Sequence, residues 1–193
     1  MKTVFVDRDG VINVNRDDHV KCWKEFVFLP GVVQSLAELT SFGFRIVVIT
    51  NQAAINRGIV SRESVELIHT RMVAALRSGG AVVEEVLCCP HRPEEACECR
   101  KPQPGLLLQA AIRLGIELAE SYLIGDALTD IRAAQEVGSH PILVLTGRGL
   151  QQLRCGWPPD MPICPVCADL AAAVRHILVR EGLAPPEGLP VAA

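Results

Sequence analysis

The sequence predicts an α/β fold with a doubly wound parallel sheet, and two observations support this prediction. Short apolar runs of strand character alternate with longer stretches of helical periodicity, an order typical of a parallel sheet covered by helices on both faces. Three of the apolar runs end abruptly in polar residues, as strands do when they open into a ligand crevice. The 193 residues, 49% of them hydrophobic, are enough for one domain with an ample core.

The first predicted strand covers residues 3–6 and is followed at once by Asp7, Asp9 and a glycine. Asp-Gly also marks turns, so this segment alone fits a turn as well as a ligand site. The other predicted strands are residues 45–49, 82 to 87 or 88, 122–124 and 141–145. Two of them also end in polar residues, Thr50 and Asp126. Because the carboxyl ends of neighbouring parallel strands meet at one edge of a sheet, these residues predict a phosphate and metal site there.

The connections between the strands are predicted from apolar spacing and from capping residues. Residues 11–28 show no sustained period and are expected to form a flap or short hairpin over the crevice. Helices are predicted from Pro30 to Gly43, from Ser61 to Gly79, from Pro104 to Leu114, from Leu128 to about Val137, and from Ala168 to Arg180. Residues 1–181 are predicted to form a single domain, and residues 182–193, rich in Pro and Gly, a disordered tail.

Composition narrows the classes of function. A net charge of −3 gives no basic surface for a nucleic-acid partner. The first residues enter a strand without a signal sequence, and no apolar run is long enough to cross a bilayer. We therefore expect a cytoplasmic protein, a monomer, that acts on a small molecule and has no membrane partner. Eight cysteines in a reducing compartment more often hold metal than form disulfides.

The acidic strand ends suit phosphoryl transfer. A phosphate monoester repels an attacking carboxylate, so a phosphatase with an aspartate nucleophile needs a cation, and Mg²⁺ prefers such oxygen ligands. Asp7 is our candidate nucleophile and Asp9 the general acid, which would later activate water as a base. Asp126 would hold the metal. The proximity of two carboxylates should raise the pKa of one of them, the direction that suits an acid.

Other residues in this arrangement carry alternative interpretations. Thr50 and Lys101 could meet the phosphoryl oxygens, although Thr50 could be an ordinary cap and Lys101 a solvated lysine. Two nearby prolines stiffen the segment around Lys101 and favour the presentation of both Arg100 and Lys101 to a ligand. Asp130 has two equally favoured interpretations: it contacts the metal-binding residues without binding the metal itself, or it is a solvated acid in the first turn of a helix.

Four motifs resemble those of the haloacid dehalogenase superfamily, in the right order. They are Asp7-x-Asp9-Gly10, Thr50-Asn51-Gln52, Arg100-Lys101-Pro102 and Gly125-Asp126-x-x-x-Asp130. The resemblance implies a Rossmann-like haloacid dehalogenase fold, in which Asp7 is the nucleophile, Asp9 the acid/base, and Thr50 and Lys101 stabilise the phosphoryl group. It also implies Mg²⁺ held by Asp7, Asp126 and the backbone carbonyl of Asp9. No insertion between the motifs is large enough for a cap domain, so an open site is expected.

A cysteine-rich loop precedes the third motif. Cys89, His91, Cys97 and Cys99 supply three thiolates and an imidazole within eleven residues, a complete tetrahedral set for structural zinc. The spacings are tighter than the usual C-x₂-C. Reduced free cysteines are the less favoured alternative, because an exposed thiol cluster invites oxidation. Cys88 should point the opposite way, and a bound zinc would fix the neighbouring residues 100–101.

The cysteine loop narrows the resemblance. Together with Asp7 to Asn13 and Phe28 to Gly31, it resembles the D-glycero-D-manno-heptose 1,7-bisphosphate 7-phosphatases and, almost as closely, the histidinol-phosphate phosphatases. This implies removal of the 7-phosphate through an aspartyl-phosphate intermediate. The substrate-binding residues implied by position are Asn15, Arg16, Asp17, Asp18, Asn51, Gln52, Ala53 and Arg100. Two features depart from the pattern: a short spacer between His91 and Cys97, and Ala127 where the heptose enzymes commonly carry Lys.

Three alternatives remain beside this interpretation. Histidinol phosphate is the second candidate substrate, and a phosphoryl-ligand binding module without turnover is a different class of protein. A DNA 3′-phosphatase is less favoured, because no basic surface is evident. His69 is interpreted as a surface or core histidine. Cys164 and Cys167, with Cys155 upstream, could form a second metal or redox pair, but no matching second pair is present, so plain buried thiols are favoured.

Overall fold

A computed structural model describes residues 1–184 and contains a six-stranded sheet. Its strands are β1 (Thr3–Val6), β2 (Arg45–Asn51), β3 (Val83–Cys89), β4 (Tyr122–Gly125), β5 (His140–Val144) and β6 (Val166–Cys167). All pair in parallel, in the order β3-β2-β1-β4-β5-β6. The doubly wound α/β prediction is therefore confirmed.

Six α-helices connect and follow these strands. They are α1 (Val32–Ser41), α2 (Arg62–Ser78), α3 (Gly105–Leu114), α4 (Leu128–Glu136), α5 (Gly149–Arg154) and α6 (Leu170–Arg180). Side chains alternate between the faces of a strand, so Val4 and Val6 contact the cluster of buried residues that includes α1, α2 and α6. Phe5 faces the opposite cluster, which includes α3 and α4. The sheet is thus covered on both faces.

The register of the central strands positions the site. Val6 of β1 lies opposite Val48 of β2 and Ile124 of β4. The next residue, Asp7, donates its backbone N–H to the carbonyl of Ile124 at 3.0 Å. The ends of β1, β2 and β4 therefore lie side by side at one edge, with β1 in the middle, as the sequence predicted.

Two short elements were not predicted, and several boundaries moved. The six residues of α5 and the two of β6 are too short to show a period. By contrast, the predicted cap of α2 is present, since the Ser61 hydroxyl accepts a hydrogen bond from the Ser64 N–H at 3.1 Å. The predicted tail begins after α6, where Leu183 donates its N–H to Leu178 O and Ala184 packs on the core. The remainder of that tail, 185–193, lies outside the described residues.

The flap of residues 11–28 is anchored to the core at both ends. Val11 and Ile12 are fully buried, and Phe26 is 7% exposed. The rings of Trp23, Phe26 and Phe28 contact one another around a short 3₁₀ turn. Burial of these aromatic groups fixes the flap above the strand ends. Among the described residues, no helix combines the length and the apolar character that a membrane span requires.

Candidate active site

A cavity of about 300 Å³ opens at the carboxyl ends of the central strands. It is lined by Asp7, Asp9, Asn15, Arg16, Asp17, His19, Asn51, Arg100, Lys101, Thr129, Asp130 and Arg148. The structure therefore brings together side chains from all four motifs and from the flap. Thr50, Gln52 and Ala53 lie beside the cavity without lining it.

A buried cluster of acids with one internal cation forms the floor of the cavity. Carboxylate oxygens of Asp7, Asp126 and Asp130 lie within 4.8 Å of one another. The Lys101 ammonium lies 2.9 Å from Asp7 Oδ1 and 2.6 Å from Asp130 Oδ1, and it donates to the carbonyl of Ile49 at 3.0 Å. Asp130 is only 1% exposed. Of its two interpretations, the buried partner is the one the structure supports, and Lys101 is not a solvated surface lysine.

Burial and mutual repulsion raise the pKa values of two of these acids. Burial is the main cause for Asp7, opposed by Lys101 and reinforced by Asp130 and Asp126, and it raises the pKa to about 7. Burial and then Asp130 raise the pKa of Asp126 to about 6. Burial alone would lower the pKa of Lys101, but Asp130 and Asp7 raise it well above its usual value. Lys101 pairs with Asp7 and Asp130, and the Arg148 guanidinium lies 3.5 Å from Asp126, so two cations face three buried carboxylates.

The donor set fits a hard divalent cation. Asp126 Oδ1 is buried and has no hydrogen-bond partner among the described residues, while Oδ2 accepts the Arg148 N–H at 2.8 Å. A Cβ at either Gly10 or Gly147 would lie 2.1 Å from Asp126 Oδ2, so only glycine permits both loops to close around this carboxylate. The nearest cation to Asp126 Oδ1 is the Arg148 guanidinium at 3.5 Å, and clustered carboxylate oxygens are the ligands that Mg²⁺ prefers.

Asp9 occupies a different environment at the rim of the cavity. Its carboxylate accepts hydrogen bonds from Arg8 Nη2 at 2.9 and 2.8 Å, from Gln52 Nε2 at 2.6 Å and from Asn13 Nδ2 at 2.9 Å. Burial would raise its pKa, but the Arg8 charge and these hydrogen bonds lower it below the usual value. The raised pKa expected of the acid is therefore found on Asp7. The pKa of Asp9 is low because the Arg8 guanidinium binds it, and Arg8 was not among the predicted site residues.

The second motif supports the catalytic residues from the side. Thr50 Oγ1 accepts a hydrogen bond from Gln52 at 2.8 Å. Asn51 exchanges two hydrogen bonds with the backbone of Lys101, at 3.0 and 3.2 Å, and so connects β2 to the segment that carries the lysine. Gln52 and Ala53 are 4% and 6% exposed. Gln52 contacts Asp9 and Arg8, and Ala53 is part of the buried interior.

The flap contributes polar side chains to the opposite wall. Asn15, Arg16 and Asp17 line the cavity. Asp18 instead pairs with Arg16 at 2.9 Å and with Lys21 at 2.6 Å, and it does not line the cavity. It therefore orients Arg16 from outside.

The cysteine loop brings its four candidate ligands together. The contacting pairs of atoms among the three sulfurs and His91 Nδ1 lie 3.2–3.6 Å apart. Tetrahedral zinc, with bonds of about 2.0–2.3 Å, needs donor atoms roughly 3.5–3.8 Å apart. Cys88 packs against Ala54, Val60 and Val65 on another side of β3, as predicted for a sulfur that points away.

The same loop is connected to the cavity through Arg100. Its Nη1 donates to the carbonyl oxygen of His91 at 3.1 Å, and its side chain lines the cavity. Asn56 in the loop after β2 also donates to the Glu95 carboxylate at 2.9 Å. The position of one cavity arginine thus depends on the conformation of the cysteine loop.

Several residues of this region were not predicted: Arg8, Asn13, His19, His69, Thr129 and Arg148. Arg148 follows β5 at the same sheet edge, a position that could have indicated it. His69 falls four residues after Val65 on the buried face of α2, so helical spacing indicates its burial but not its polar contact. Nothing in the local sequence indicates that Arg8 is 1% exposed. The prediction of buried thiols is correct for Cys164, which is buried, and wrong for Cys155, which is exposed.

In this chain a central strand is followed by Asp-x-Asp, and neighbouring segments bring Thr, Lys and Asp to the same place. This arrangement defines the class of haloacid dehalogenase-like hydrolases. In agreement, a HAD-hydrolase-like family model matches residues 98–173. The chain belongs to this class and, within it, to the D-glycero-beta-D-manno-heptose-1,7-bisphosphate 7-phosphatase family. It is 40% identical over 178 residues to the family member from Bordetella bronchiseptica, covering 92% of this chain and 98% of the relative. It is 39% identical to that from Pseudomonas putida, covering 92% and 100%.

Solved structures give the same result. The crystal structure of the D,D-heptose 1,7-bisphosphate phosphatase from B. bronchiseptica, complexed with magnesium and phosphate, matches with a TM-score of 0.87 and 39% identity. The match covers 93% of this chain and 99% of the other. The corresponding phosphatase from Burkholderia thailandensis matches with a TM-score of 0.71 and 32% identity, covering 92% and 99%.

Proposed function

We propose that this chain is a Mg²⁺-dependent phosphatase that removes the 7-phosphate of D-glycero-beta-D-manno-heptose 1,7-bisphosphate. The observation that carries the proposal is the buried Lys101 ammonium, held between Asp7 and Asp130 at the floor of a cavity lined by both carboxylates and cationic side chains. The substrate is assigned from relatives of nearly the same length, which are named for it.

The chain's own residues would carry the reaction in two steps. Asp7 Oδ1 accepts the Arg8 N–H at 2.7 Å and contacts Lys101, so we assign the attack on phosphorus to Oδ2. Asp9 takes up a proton as the negatively charged phosphate binds beside it. The bond between phosphorus and the sugar oxygen then breaks, and Asp9 gives that oxygen the proton, leaving an aspartyl-phosphate. Asp9 then takes a proton from water, whose oxygen attacks phosphorus, and the acyl-phosphate bond breaks to restore Asp7.

Asp7, Asp126 and the backbone carbonyl of Asp9 would hold Mg²⁺. Bound there, the ion would offset the repulsion between the attacking carboxylate and the phosphoryl oxygens. Lys101 orients Asp7 and opposes the rise in its pKa that burial causes. Thr50, at the end of β2, would donate to the transferred group.

We assign recognition of the second phosphate to Arg100 and Arg148. Both side chains line the cavity, Arg148 is 51% exposed, and Ala127 cannot supply a charge. Arg100 enters from the cysteine loop and Arg148 from the loop after β5, so the two guanidinium groups come from separate segments. Flap residues Asn15, Arg16 and Asp17 line the same cavity and would contact the sugar.

The cysteine loop would bind structural zinc. The support is the compact set of three sulfurs and one imidazole nitrogen described above. Metal analysis of protein purified without added metal should find about one zinc per chain. A chain free of zinc but with an unchanged circular dichroism spectrum would contradict this proposal.

A substrate panel tests the main proposal. We expect the kcat/KM for the heptose bisphosphate, in the presence of Mg²⁺, to exceed that for histidinol phosphate by at least tenfold. Such a preference corresponds to about 1.4 kcal/mol of transition-state binding. A preference for histidinol phosphate would overturn the substrate assignment. Complete lack of hydrolysis of any phosphomonoester would favour a binding module instead.

The remaining proposals concern the state of the protein. All eight cysteines are free, which agrees with a cytoplasmic location. A single domain over residues 1–181 predicts one cooperative unfolding transition. A monomer predicts a mass near 20.9 kDa by light scattering.

A further inference from the structure

A buried arginine lies between the two aspartates of the first motif. The Arg8 guanidinium is 1% exposed, and it reaches three side chains from separate parts of the chain. Nη2 donates to both oxygens of Asp9 and to Gln52 Oε1 at 3.1 Å, and Nη1 donates to His69 Nε2 at 3.0 Å. Burial of a guanidinium is costly unless its partners have good geometry, so this network is a built feature of the site.

His69 is the far end of the network. It lies on α2, is 8% exposed, and does not line the cavity. Burial and the Arg8 charge lower its pKa to about 3, so the imidazole is neutral. Because Arg8 can only donate, His69 Nε2 must accept, and the ring proton resides on Nδ1. His69 therefore serves as a fixed acceptor that receives one arm of the guanidinium.

We propose that Arg8 and His69 are positioning residues that hold the Asp9 carboxylate in place for proton transfer to the leaving oxygen. The proposal rests on the proposed function, since it needs Asp9 as the acid. His69 fixes Arg8, and Arg8 together with Gln52 and Asn13 supplies four hydrogen bonds to Asp9. The Asp9 side chain keeps 23% exposure and lines the cavity.

The local backbone explains why such support is needed. Asp9 stands beyond the end of β1 and is followed by Gly10, which has φ +88° and no side chain to restrict the turn. Without its partners, Asp9 could rotate away from the cavity. A misplacement of about 1 Å can cost on the order of 100-fold in rate. Loss of the His69 acceptor would leave the buried Nη1 of Arg8 unpaired and allow the guanidinium to shift.

Leaving-group dependence provides the test. Phenyl phosphate and p-nitrophenyl phosphate have similar shapes, but phenolate is the more basic leaving group and depends more on a proton from Asp9. We expect His69→Leu to lower kcat/KM about 100-fold for phenyl phosphate and about tenfold for p-nitrophenyl phosphate. His69→Gln, whose amide oxygen can accept from Arg8, should stay within about threefold of the wild type for both.

Met72→Ala is the matched control. Met72 is fully buried on the same face of α2 and has no part in the network. This variant should lower the melting temperature without changing the ratio of kcat/KM between the two aryl phosphates. If His69→Leu does not accumulate as folded protein, His69→Met replaces it, because a thioether fills the space but is a poor acceptor.

The outcomes separate this inference from the proposed function. Equal losses on both aryl phosphates in His69→Leu, or no rescue by His69→Gln, would overturn the positioning role and leave the phosphatase assignment intact. If the wild-type enzyme hydrolyses neither aryl phosphate nor the heptose bisphosphate, the proposed function fails and the positioning role fails with it.

Discussion

The acidic cluster and the cysteine loop are both candidate metal sites, but they are built in opposite ways. Asp7 comes from one segment, and Asp126 and Asp130 from another more than a hundred residues later; the sheet brings them together with Lys101 as an internal counter-ion. The cysteine loop draws its four ligands from eleven consecutive residues, and the sulfurs have one another and His91 as partners.

Because of this difference, we expect only the cysteine loop to need its metal in order to form. The sheet positions the acids through the paired strands β1 and β4, so removal of Mg²⁺ should stop turnover and leave the fold unchanged. The short loop has little regular structure of its own, only one 3₁₀ turn, so zinc would determine its conformation.

Replacement of the nucleophile should separate chemistry from folding most sharply. Asp7→Asn removes the attacking oxygen, and we expect kcat to fall by about 10⁴-fold or more. The melting temperature should not fall, because the substitution removes one charge from a crowded group of buried acids. Turnover and thermal unfolding of the same preparation measure both effects. Retention of more than about one per cent of the activity would exclude Asp7 as the nucleophile.

Loss of the internal cation should damage both chemistry and folding. Lys101→Met leaves Asp7 and Asp130 buried without their partner, which should cost roughly 3–5 kcal/mol of stability. We expect kcat to fall about 1000-fold as well, because the developing phosphoryl charge loses its stabilising group. Denaturant titration and steady-state kinetics provide the measurements.

The control for this prediction is Lys24→Met, which removes an exposed lysine from the flap. It should leave both quantities near the wild-type values. A Lys101→Met protein with normal stability would show that the acids do not depend on the ammonium.

Removal of zinc should affect substrate recognition and not the central chemistry. Cys97→Ser disrupts the ligand set, and Arg100 would lose the backbone contact with His91 that now holds it. We expect KM for the heptose bisphosphate to rise about 10- to 100-fold, while kcat for p-nitrophenyl phosphate changes little. An equal loss on both substrates would indicate that the loop supports the acidic cluster directly. Cys155→Ser, at an exposed free thiol, is the control.

The two sites also differ in how far the sequence predicted them. The sequence predicted that Asp7, Asp126, Thr50 and Lys101 meet at one edge, and the structure places them there, because strand ends in a parallel sheet meet by a general rule. The cysteine ligands were brought together because their spacing is local. The environment of Asp9 was not predictable, because it depends on the buried Arg8, whose guanidinium contacts Gln52 and His69 far along the chain.

The same limit applies to secondary structure. The long strands and amphipathic helices carry a readable period, and their existence was predicted correctly. Neither α5 nor β6 has enough residues to show one. The cavity position of Arg148 depends on α5, since Arg148 immediately precedes it. An unpredicted element therefore positions a residue of the predicted site.

Arg148 gives the finest test, because it touches the acidic cluster and also faces the cavity. Its backbone N–H binds Asp126 Oδ2, a contact that survives substitution, whereas its guanidinium lines the cavity and lies 3.5 Å from Asp126 Oδ1, an ion pair that substitution removes. We therefore expect Arg148→Ala to raise KM for the heptose bisphosphate about tenfold, since a charge-assisted contact contributes about 1.5 kcal/mol. For p-nitrophenyl phosphate, which has no second phosphate, KM should change less than about twofold. Arg154→Ala, which removes an exposed charge from α5, should change neither. If Arg148→Ala weakens both substrates equally, Arg148 acts through Asp126, and recognition of the second phosphate rests on the cysteine-loop side of the cavity.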